Sequence, residues 1–150
     1  QLILPEISKI ENTTKKIKFG LIGKYKRSCW RFQKEYRYRL WVLPIGHEEI
    51  MLNHLDPDQF ESGFQRIKDQ VKLGDLCTLV QEQNNLVDKY GRHLGYLVLN
   101  DGRVLNEILI KEGFAKPYND VFCEMLPLYQ EWSLQAKNSL KGLYSIVDKF

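Results

Sequence analysis

The stretch that decides the fold reads Asp88-Lys89-Tyr90-Gly91-Arg92-His93-Leu94-Gly95-Tyr96-Leu97-Val98, and after Leu99-Asn100 it continues as Asp101-Gly102-Arg103-Val104-Leu105-Asn106-Glu107-Ile108-Leu109-Ile110-Lys111-Glu112-Gly113-Phe114-Ala115-Lys116. Residues 92–100 have the alternation and the aromatic and branched side chains of a strand, and Asn100-Asp101-Gly102 is a typical turn sequence. Apolar residues recur at helical spacing over 104–112, and Gly113 follows as a helix terminator. We therefore expect a loop, a strand, a turn and a helix in succession.

Further strands and one more helix are predicted upstream of this stretch. Residues 16–21, 29–33, 36–43 and 75–83 have the alternating pattern of half-buried strands. Asp56 is expected to cap a helix that starts at Pro57 and ends before Gly74. The strand 36–43 is expected to place its residues on two sides, with Tyr36, Tyr38, Leu40 and Val42 on one side and Arg37, Arg39, Trp41 and Leu43 on the other.

The order of these elements predicts the architecture. A last helix is expected over 126–143, so the chain has three strands, a helix, two strands and two helices. That order is typical of an α+β domain built on a five-stranded OB-type barrel with helices packed on it. We expect a single domain over 1–150, with the barrel at about 15–100 and the C-terminal helices at about 104–145.

Composition excludes several classes of protein. Hydrophobic residues make up 43% and charged residues 27%, which is ordinary for a folded globular domain. Apolar runs such as 40–43 are too short to span a bilayer, and no signal-peptide pattern is visible. The three cysteines, Cys29, Cys77 and Cys123, are too few for a disulfide framework and lack zinc-site spacing, so we expect buried thiols and an intracellular protein. Since the chain begins with Gln1, we expect a processed or trimmed product.

Charge is distributed unevenly along the chain. The overall net charge is +3, but residues 1–43 hold eleven Lys or Arg against three acids, a net +8, and the remainder carries −5. A basic face of this kind is suited to a polyanion such as nucleic acid. The alternative is a solvated sheet edge, where lysine commonly protects against aggregation.

The stretch that decides the fold resembles the staphylococcal nuclease (thermonuclease-like) family. Residues 88–96 are similar to the family's D-K-Y-G-R-x-L-A-Y loop and strand, and residues 101–115 are similar to D-G-x-x-V-N-E-x-L-V-x-x-G-x-A. Residues 133–145, with Gln135-Ala136-Lys137 and Tyr144, are similar to the family's final helix. The resemblance implies a five-stranded OB-type barrel, calcium and phosphodiester hydrolysis.

The residues that resemble the family's third strand, 38–42, make Arg39 the strand arginine, but the carboxylates that should follow are missing. In the active family this strand continues as V-D-T-P-E, in which Asp binds calcium and Glu is the general base, and a second Asp ligand comes from the first turn. Here Pro44 stands at the Asp position, His47 at the Glu position, and the turn reads Lys24-Tyr25-Lys26-Arg27. Calcium requires oxygen ligands. We therefore expect no metal site, no cofactor and no catalysis, unless Glu48, Glu49 or His47 acts with a calcium ion in a displaced site.

Arg39 and Arg92 are the candidate catalytic and phosphate-binding residues, because a guanidinium holds two phosphate oxygens at once and keeps its charge. The structural alternatives are an Arg92–Asp88 pair and an Arg39–Glu35 pair. The wider predicted nucleic-acid-binding set mixes basic and aromatic side chains, as single-strand binders do, although core packing is the default for aromatics. It consists of Lys24, Lys26, Arg27, Arg37, Arg39, Lys89, Tyr90, Arg92, Lys116 and Tyr118.

Three functions follow as hypotheses. The first is an inactive nuclease-fold domain that binds single-stranded DNA or RNA, which predicts that the basic residues share one face. The second is an active nuclease with displaced carboxylates, which predicts two or more carboxylates near Arg39 and Arg92. The third is a protein–protein interaction or scaffold domain of a larger complex, which predicts exposed apolar surface on residues 122–132.

Overall fold

The computed structural model describes residues 7, 10–19, 30–32, 36–44, 54, 63–72 and 74–146, and for residues 30–32, 36–39, 43, 44, 63 and 64 the description covers the backbone only. The elements in chain order are β1 (Asn12–Lys18), β2 (Trp30–Phe32), β3 (Tyr36–Leu40), β4 (Val42–Pro44), α1 (Gly63–Gln70), β5 (Leu76–Glu82), β6 (His93–Val98), α2 (Leu105–Lys111), β7 (Ala115–Pro117), α3 (Leu126–Asn138) and a 3-10 helix (Gly142–Ser145).

The main sheet has the strand order β1-β5-β6-β3-β2. β1 runs antiparallel to β5, from Asn12 opposite Glu82 to Lys18 opposite Leu76, and β6 is antiparallel to β5 on its other side. β3 then lies parallel to β6, and β2 is antiparallel to β3. The expected α+β class is confirmed. Within the described strands, β1 and β2 are not paired with each other, so closure into a five-stranded barrel stays a prediction.

The predicted strand over 36–43 is interrupted at Trp41, where the chain bends. β3 ends at Leu40, and β4 pairs instead with β7, placing Val42 opposite Pro117 and Pro44 opposite Ala115. Leu40, Trp41 and Val42 are all fully buried. The expected alternation of sides is therefore wrong at these positions, because strand periodicity of two holds only while the backbone stays extended.

The core is formed where β5, β6, α2 and α3 pack together. Its largest fully buried side chains include Trp41, Tyr96 and Tyr129. The Tyr96 ring centroid lies 6.4 Å from that of Trp41 and 6.1 Å from that of Tyr129, within the range of aromatic pair contacts. These ring contacts connect the bend at Trp41 to β6, the strand that follows residue 92, and so hold in place the backbone next to the candidate site.

The helix predicted over 126–143 is shorter than expected. α3 ends at Asn138, Leu140 takes a left-handed backbone conformation with φ +53°, and Gly142 follows with φ +55°. The prediction of helix to residue 143 was wrong because left-handed residues terminate an α-helix. The helix expected from Pro57 is described only from Gly63 to Gln70, and its predicted cap, Asp56, lies outside the described residues.

Two of the cysteines are buried thiols, as expected. Cys77 and Cys123 are free and buried, and burial raises the pKa of Cys77 to about 11 and of Cys123 to about 12. Cys29 lies outside the described residues. In the part of the chain that the structure covers, no helix combines the length and the apolar character needed to cross a membrane.

Candidate nucleic-acid interface

The Asp88 loop, residues 88–92, connects β5 to β6 and is closed by its own backbone. The Asp88 N–H donates to the Arg92 carbonyl at 2.9 Å, and the Gly91 N–H donates to the Asp88 carbonyl at 3.1 Å. Gly91 has φ +77°, a conformation that glycine adopts without steric cost. One carboxylate oxygen of Asp88, Oδ1, accepts the backbone N–H groups of Tyr90 and Arg92, both at 2.9 Å. The loop is thus tied to a single carboxylate.

Arg92 forms an ion pair with this carboxylate. Its Nε–H donates to Asp88 Oδ2 at 2.7 Å, and the Arg92 and Asp88 side chains are only 10% and 4% exposed. Burial by itself raises the pKa of the Asp88 carboxyl, but the two backbone N–H groups and the Arg92 guanidinium outweigh it and hold that pKa below its ordinary value. Asp88 is therefore ionised at neutral pH. The Arg92–Asp88 pair, which was the structural alternative to phosphate binding, is thus formed in the structure.

Tyr90 is the exposed aromatic residue of the loop. Tyr90 as a whole residue is 60% accessible to solvent. The Lys89 Nζ and the Arg92 Cζ each lie 5.2 Å from the centroid of the Tyr90 ring. Both distances are within the range of cation–π contacts. The arrangement presents an aromatic ring to solvent with two cations beside it, which is the chemistry needed to stack on a base and to bind the neighbouring phosphate.

Arg39 lies on the strand next to the one that Arg92 leads into. In the parallel pair of β3 and β6, Tyr38 is opposite His93 and Arg39 is opposite Leu94. The backbone of β3 therefore runs beside the first residues after the Asp88 loop. Whether the Arg39 and Arg92 guanidinium groups converge depends on the side chain of Arg39, which lies outside the described part. Their convergence therefore stays a prediction. The same holds for Arg37.

Two residues of the predicted set lie on or after β7. Lys116 is half-buried and pairs through its backbone with Leu43. Tyr118 is buried, its N–H donates to the Trp41 carbonyl at 3.1 Å, and the two ring centroids are 6.2 Å apart. Because the Tyr118 ring packs in the core, it offers no open face for stacking on a base. The remaining predicted residues lie outside the described ranges: Lys24, Lys26, Arg27, His47, Glu48 and Glu49.

The residues at the expected calcium position do not fit a calcium ion. Pro44 lies in β4 with its backbone opposite Ala115. A proline side chain has no oxygen, and calcium takes six or more oxygen ligands. Among the described residues there is also no group of three or more His, Cys, Asp or Glu side chains that could hold a metal. We therefore assign no step of any reaction to a metal at this position.

A pocket of about 630 Å³ lies near the N-terminus of α3 and shares no lining residue with the Asp88 loop. Glu11, Glu82 and Glu124 contribute to its wall. Glu82 is buried and accepts bonds from the Tyr96 hydroxyl at 2.5 Å and the Glu124 N–H at 2.8 Å. This carboxylate thus serves the packing of the core, and the pocket contains none of the predicted site residues.

Asp88 was expected only as a structural partner of Arg92, and Phe122 only within the segment 122–132; the bonds of Asp88 to the loop backbone and of Phe122 to Asn85 were not predicted. The sequence does carry a signal for Asp88, since an Asp that precedes a Gly-Arg pair by three residues suits a carboxylate-closed loop. Phe122 is 59% exposed, and its carbonyl accepts a bond from the Asn85 side chain at 2.9 Å. No periodic pattern marks that placement, because it depends on a contact between distant segments.

Comparison with known proteins finds a match that includes the Asp88 loop and the elements that follow it. The family model described as staphylococcal nuclease homologue matches residues 63–146, more than half of the chain. An uncharacterized protein of Bacillus anthracis is 37% identical over 79 residues, which are 49% of this chain and 35% of that protein. The match therefore spans about a third of that relative. The family has an OB-like α+β fold, consistent with the sheet and helices described above, and the matched region includes the whole loop, strand, turn and helix of 88–116. This chain therefore belongs to the staphylococcal nuclease homologue family.

Proposed function

We propose that this chain is a nucleic-acid-binding domain that binds single-stranded DNA or RNA and lacks calcium-dependent cleavage. The observation that carries the proposal is the exposed Tyr90 ring with cations of Lys89 and Arg92 each 5.2 Å from its centre. Stacking of bases on aromatic rings, combined with cations along the backbone path, is how single strands are held without sequence preference.

The charge distribution supports a polyanion as the partner. Residues 1–43 carry a net charge of +8, and β3, which contains Arg37 and Arg39, lies directly beside β6. Neutralisation of phosphates by such residues releases counterions, so binding becomes weaker as salt rises. This proposal includes the closure of the sheet into a five-stranded OB-type barrel, whose face would bind the single-stranded nucleic acid.

The expectation of no cleavage rests on the chemistry of the missing carboxylates. Pro44 and the basic turn Lys24-Tyr25-Lys26-Arg27 occupy the positions at which the family resemblance places calcium ligands. Like charges repel a divalent cation and attract phosphate. The substitutions that disfavour calcium at this position therefore favour retention of nucleic acid.

A protein–protein interaction domain is the second candidate function. The exposed ring of Phe122 supports it, since a large apolar side chain in solvent is a common contact in protein interfaces. Other apolar residues of this segment favour it less, because Leu128 and Trp132 are partly buried and pack against the core.

A nuclease assay with and without calcium, run beside a binding titration on the same oligonucleotides, tests the proposal. We expect salt-sensitive binding and no calcium-stimulated cleavage. Cleavage that is stimulated by calcium and disappears in Glu48→Ala or Glu49→Ala would establish the active-nuclease hypothesis. If the protein neither cleaves nor binds in a salt-sensitive manner, the interaction-domain hypothesis becomes the leading one.

A further inference from the structure

Asp88 connects the two parts of the candidate interface. Through Oδ1 it fixes the backbone N–H of Tyr90, the residue with the exposed ring, and through Oδ2 it fixes the guanidinium of Arg92. The Arg92 guanidinium in turn lies against the Tyr90 ring. One carboxylate thus sets the relative position of an aromatic ring and a cation, although a negative charge is itself unfavourable on a surface that binds phosphate.

A second aspartate of the chain forms a similar pair of bonds, one to a backbone N–H and one to a guanidinium, at a place where they are exposed. Asp101 Oδ1 accepts the Arg103 N–H at 3.1 Å, and Asp101 Oδ2 accepts the Arg103 Nε–H at 2.8 Å. The Asp101 and Arg103 side chains are 55% and 49% exposed, against 4% and 10% for Asp88 and Arg92. Exposed pairs of this kind contribute little to rigidity, while a buried pair holds both partners in place.

We propose that Asp88 is a positioning residue of the nucleic-acid interface, which holds Arg92 and the Tyr90 ring in the geometry that binds a base and its phosphate. The inference rests on the proposed function. The bond from Nε to Asp88 holds the Arg92 guanidinium in one orientation, so less side-chain freedom is lost when it binds a phosphate. The cost of the carboxylate's own charge is offset because Arg92 pairs with it directly.

Removal of the Asp88 charge separates this role from simple electrostatics. If Asp88 were only a nearby acid, Asp88→Asn would raise the affinity for an oligonucleotide, since net charge becomes more positive. If Asp88 positions Arg92, the same change lowers the affinity. An amide that keeps its oxygen on the two backbone N–H groups turns its NH₂ toward the Arg92 Nε–H, and two donors then face each other.

The experiment is a titration of fluorescent oligothymidine and oligouridine at several salt concentrations, with wild type, Asp88→Asn, Arg92→Gln and the double variant. Asp101→Asn is the matched control, because it removes the same charge from an equivalent but exposed pair. We expect a roughly tenfold loss of affinity in Asp88→Asn, in line with removal of a charged hydrogen bond. The slope of log affinity against log salt should fall by about 0.7, the value for one phosphate contact on a single strand.

The double variant supplies a readout that a purely structural role would not move. We expect Asp88→Asn to cause no further loss of affinity in the Arg92→Gln background, because Asp88 acts through Arg92. Equal or tighter binding by Asp88→Asn, or additive effects in the double variant, would overturn the inference while wild-type binding still supports the proposed function. Absence of wild-type binding would instead end the proposed function, and this inference with it.

A second variant covers the case in which Asp88→Asn is unfolded by circular dichroism. Asp88→Glu keeps the charge but adds a methylene, which displaces the carboxylate from the two N–H groups of the loop. We expect Asp88→Glu to lose affinity as well, and an unchanged affinity in a folded Asp88→Glu protein would contradict the positioning role.

Discussion

A single methyl group added at Gly142 should disturb the fold. Gly142 begins the 3-10 helix with φ +55°, and a Cβ built there would overlap the Glu112 carbonyl oxygen and lie 2.9 Å from that of Gly113. Both neighbours are backbone atoms at the end of α2, so they cannot rotate aside. The left-handed conformation costs a non-glycine residue about 1–2 kcal/mol, and overpacking adds about 1–3 kcal/mol. Gly142→Ala should therefore lower the free energy of unfolding by about 2–5 kcal/mol.

The matched control for this variant is Gly74→Ala. Gly74 also has a positive φ, +88°, but a Cβ there meets nothing within 4 Å. It should cost only the conformational part, about 1–2 kcal/mol. Urea denaturation followed by circular dichroism measures both. If the two variants lose the same stability, the 3-10 helix does not pack on the end of α2, and the hydrogen bond from the Leu143 N–H to the Gly113 carbonyl would be refuted with it.

Two further predictions concern charge. Replacement of Lys24, Lys26 and Arg27 by Ala should flatten the salt dependence of oligonucleotide binding by roughly one unit for each phosphate that the turn no longer binds, and an unchanged slope would remove this turn from the interface. The pKa of Asp88 is lowered in the folded state. Its ion pair therefore contributes to the free energy of unfolding at pH values above the unfolded pKa. That contribution is lost as the pH falls through the folded pKa, which lies below 3.8. Urea titrations from pH 7 to pH 3 should show a steeper acid loss in wild type than in Asp88→Asn; parallel curves would contradict the pair.

Local patterns were sufficient wherever local contacts determine the structure. The turn after β6 has Gly102 at φ +92°, and α2 spans Leu105–Lys111 within the predicted 104–112. The strands β5 and β6 lie inside their predicted ranges, and most residues of both strands are buried rather than alternating between the two sides. Apart from β5, these elements lie within the stretch that carries the family resemblance, so pattern and resemblance agree there.

Patterns failed where distant segments determine the backbone. The bend at Trp41 turns the chain to pair β4 with β7, a strand of three residues that no alternation marks. The same bend buries Tyr118 against Trp41, which removes a ring that the resemblance placed at the interface. The end of α3 likewise depends on the contact of Gly142 with the end of α2. Each of these requires knowledge of a neighbour far away in sequence.

For the candidate site, the structure gives the geometry of part of the predicted residues, and their role stays a prediction. Lys89, Tyr90 and Arg92 lie together as the resemblance implied, with the Tyr90 ring exposed. The pairing of Arg92 with Asp88 was one of two alternatives that residue identity alone left open. The structure contains the Arg92–Asp88 pair, which is almost fully shielded from solvent, and phosphate binding by Arg92 stays a prediction. The burial of the pair could not be predicted because it depends on the packing of the whole domain.

The most direct test of the account is the affinity of Tyr90→Ala for single-stranded oligonucleotides at one fixed salt concentration. Loss of a base–aromatic stack should weaken binding by about 1–3 kcal/mol, or roughly fivefold to 150-fold. Leu134→Ala on α3 is the control, because Leu134 is similarly exposed at 57% and lies outside the Asp88 loop. We expect Tyr90→Ala to bind more weakly, while Leu134→Ala and wild type bind alike. Equal affinity of a folded Tyr90→Ala protein and wild type would contradict it.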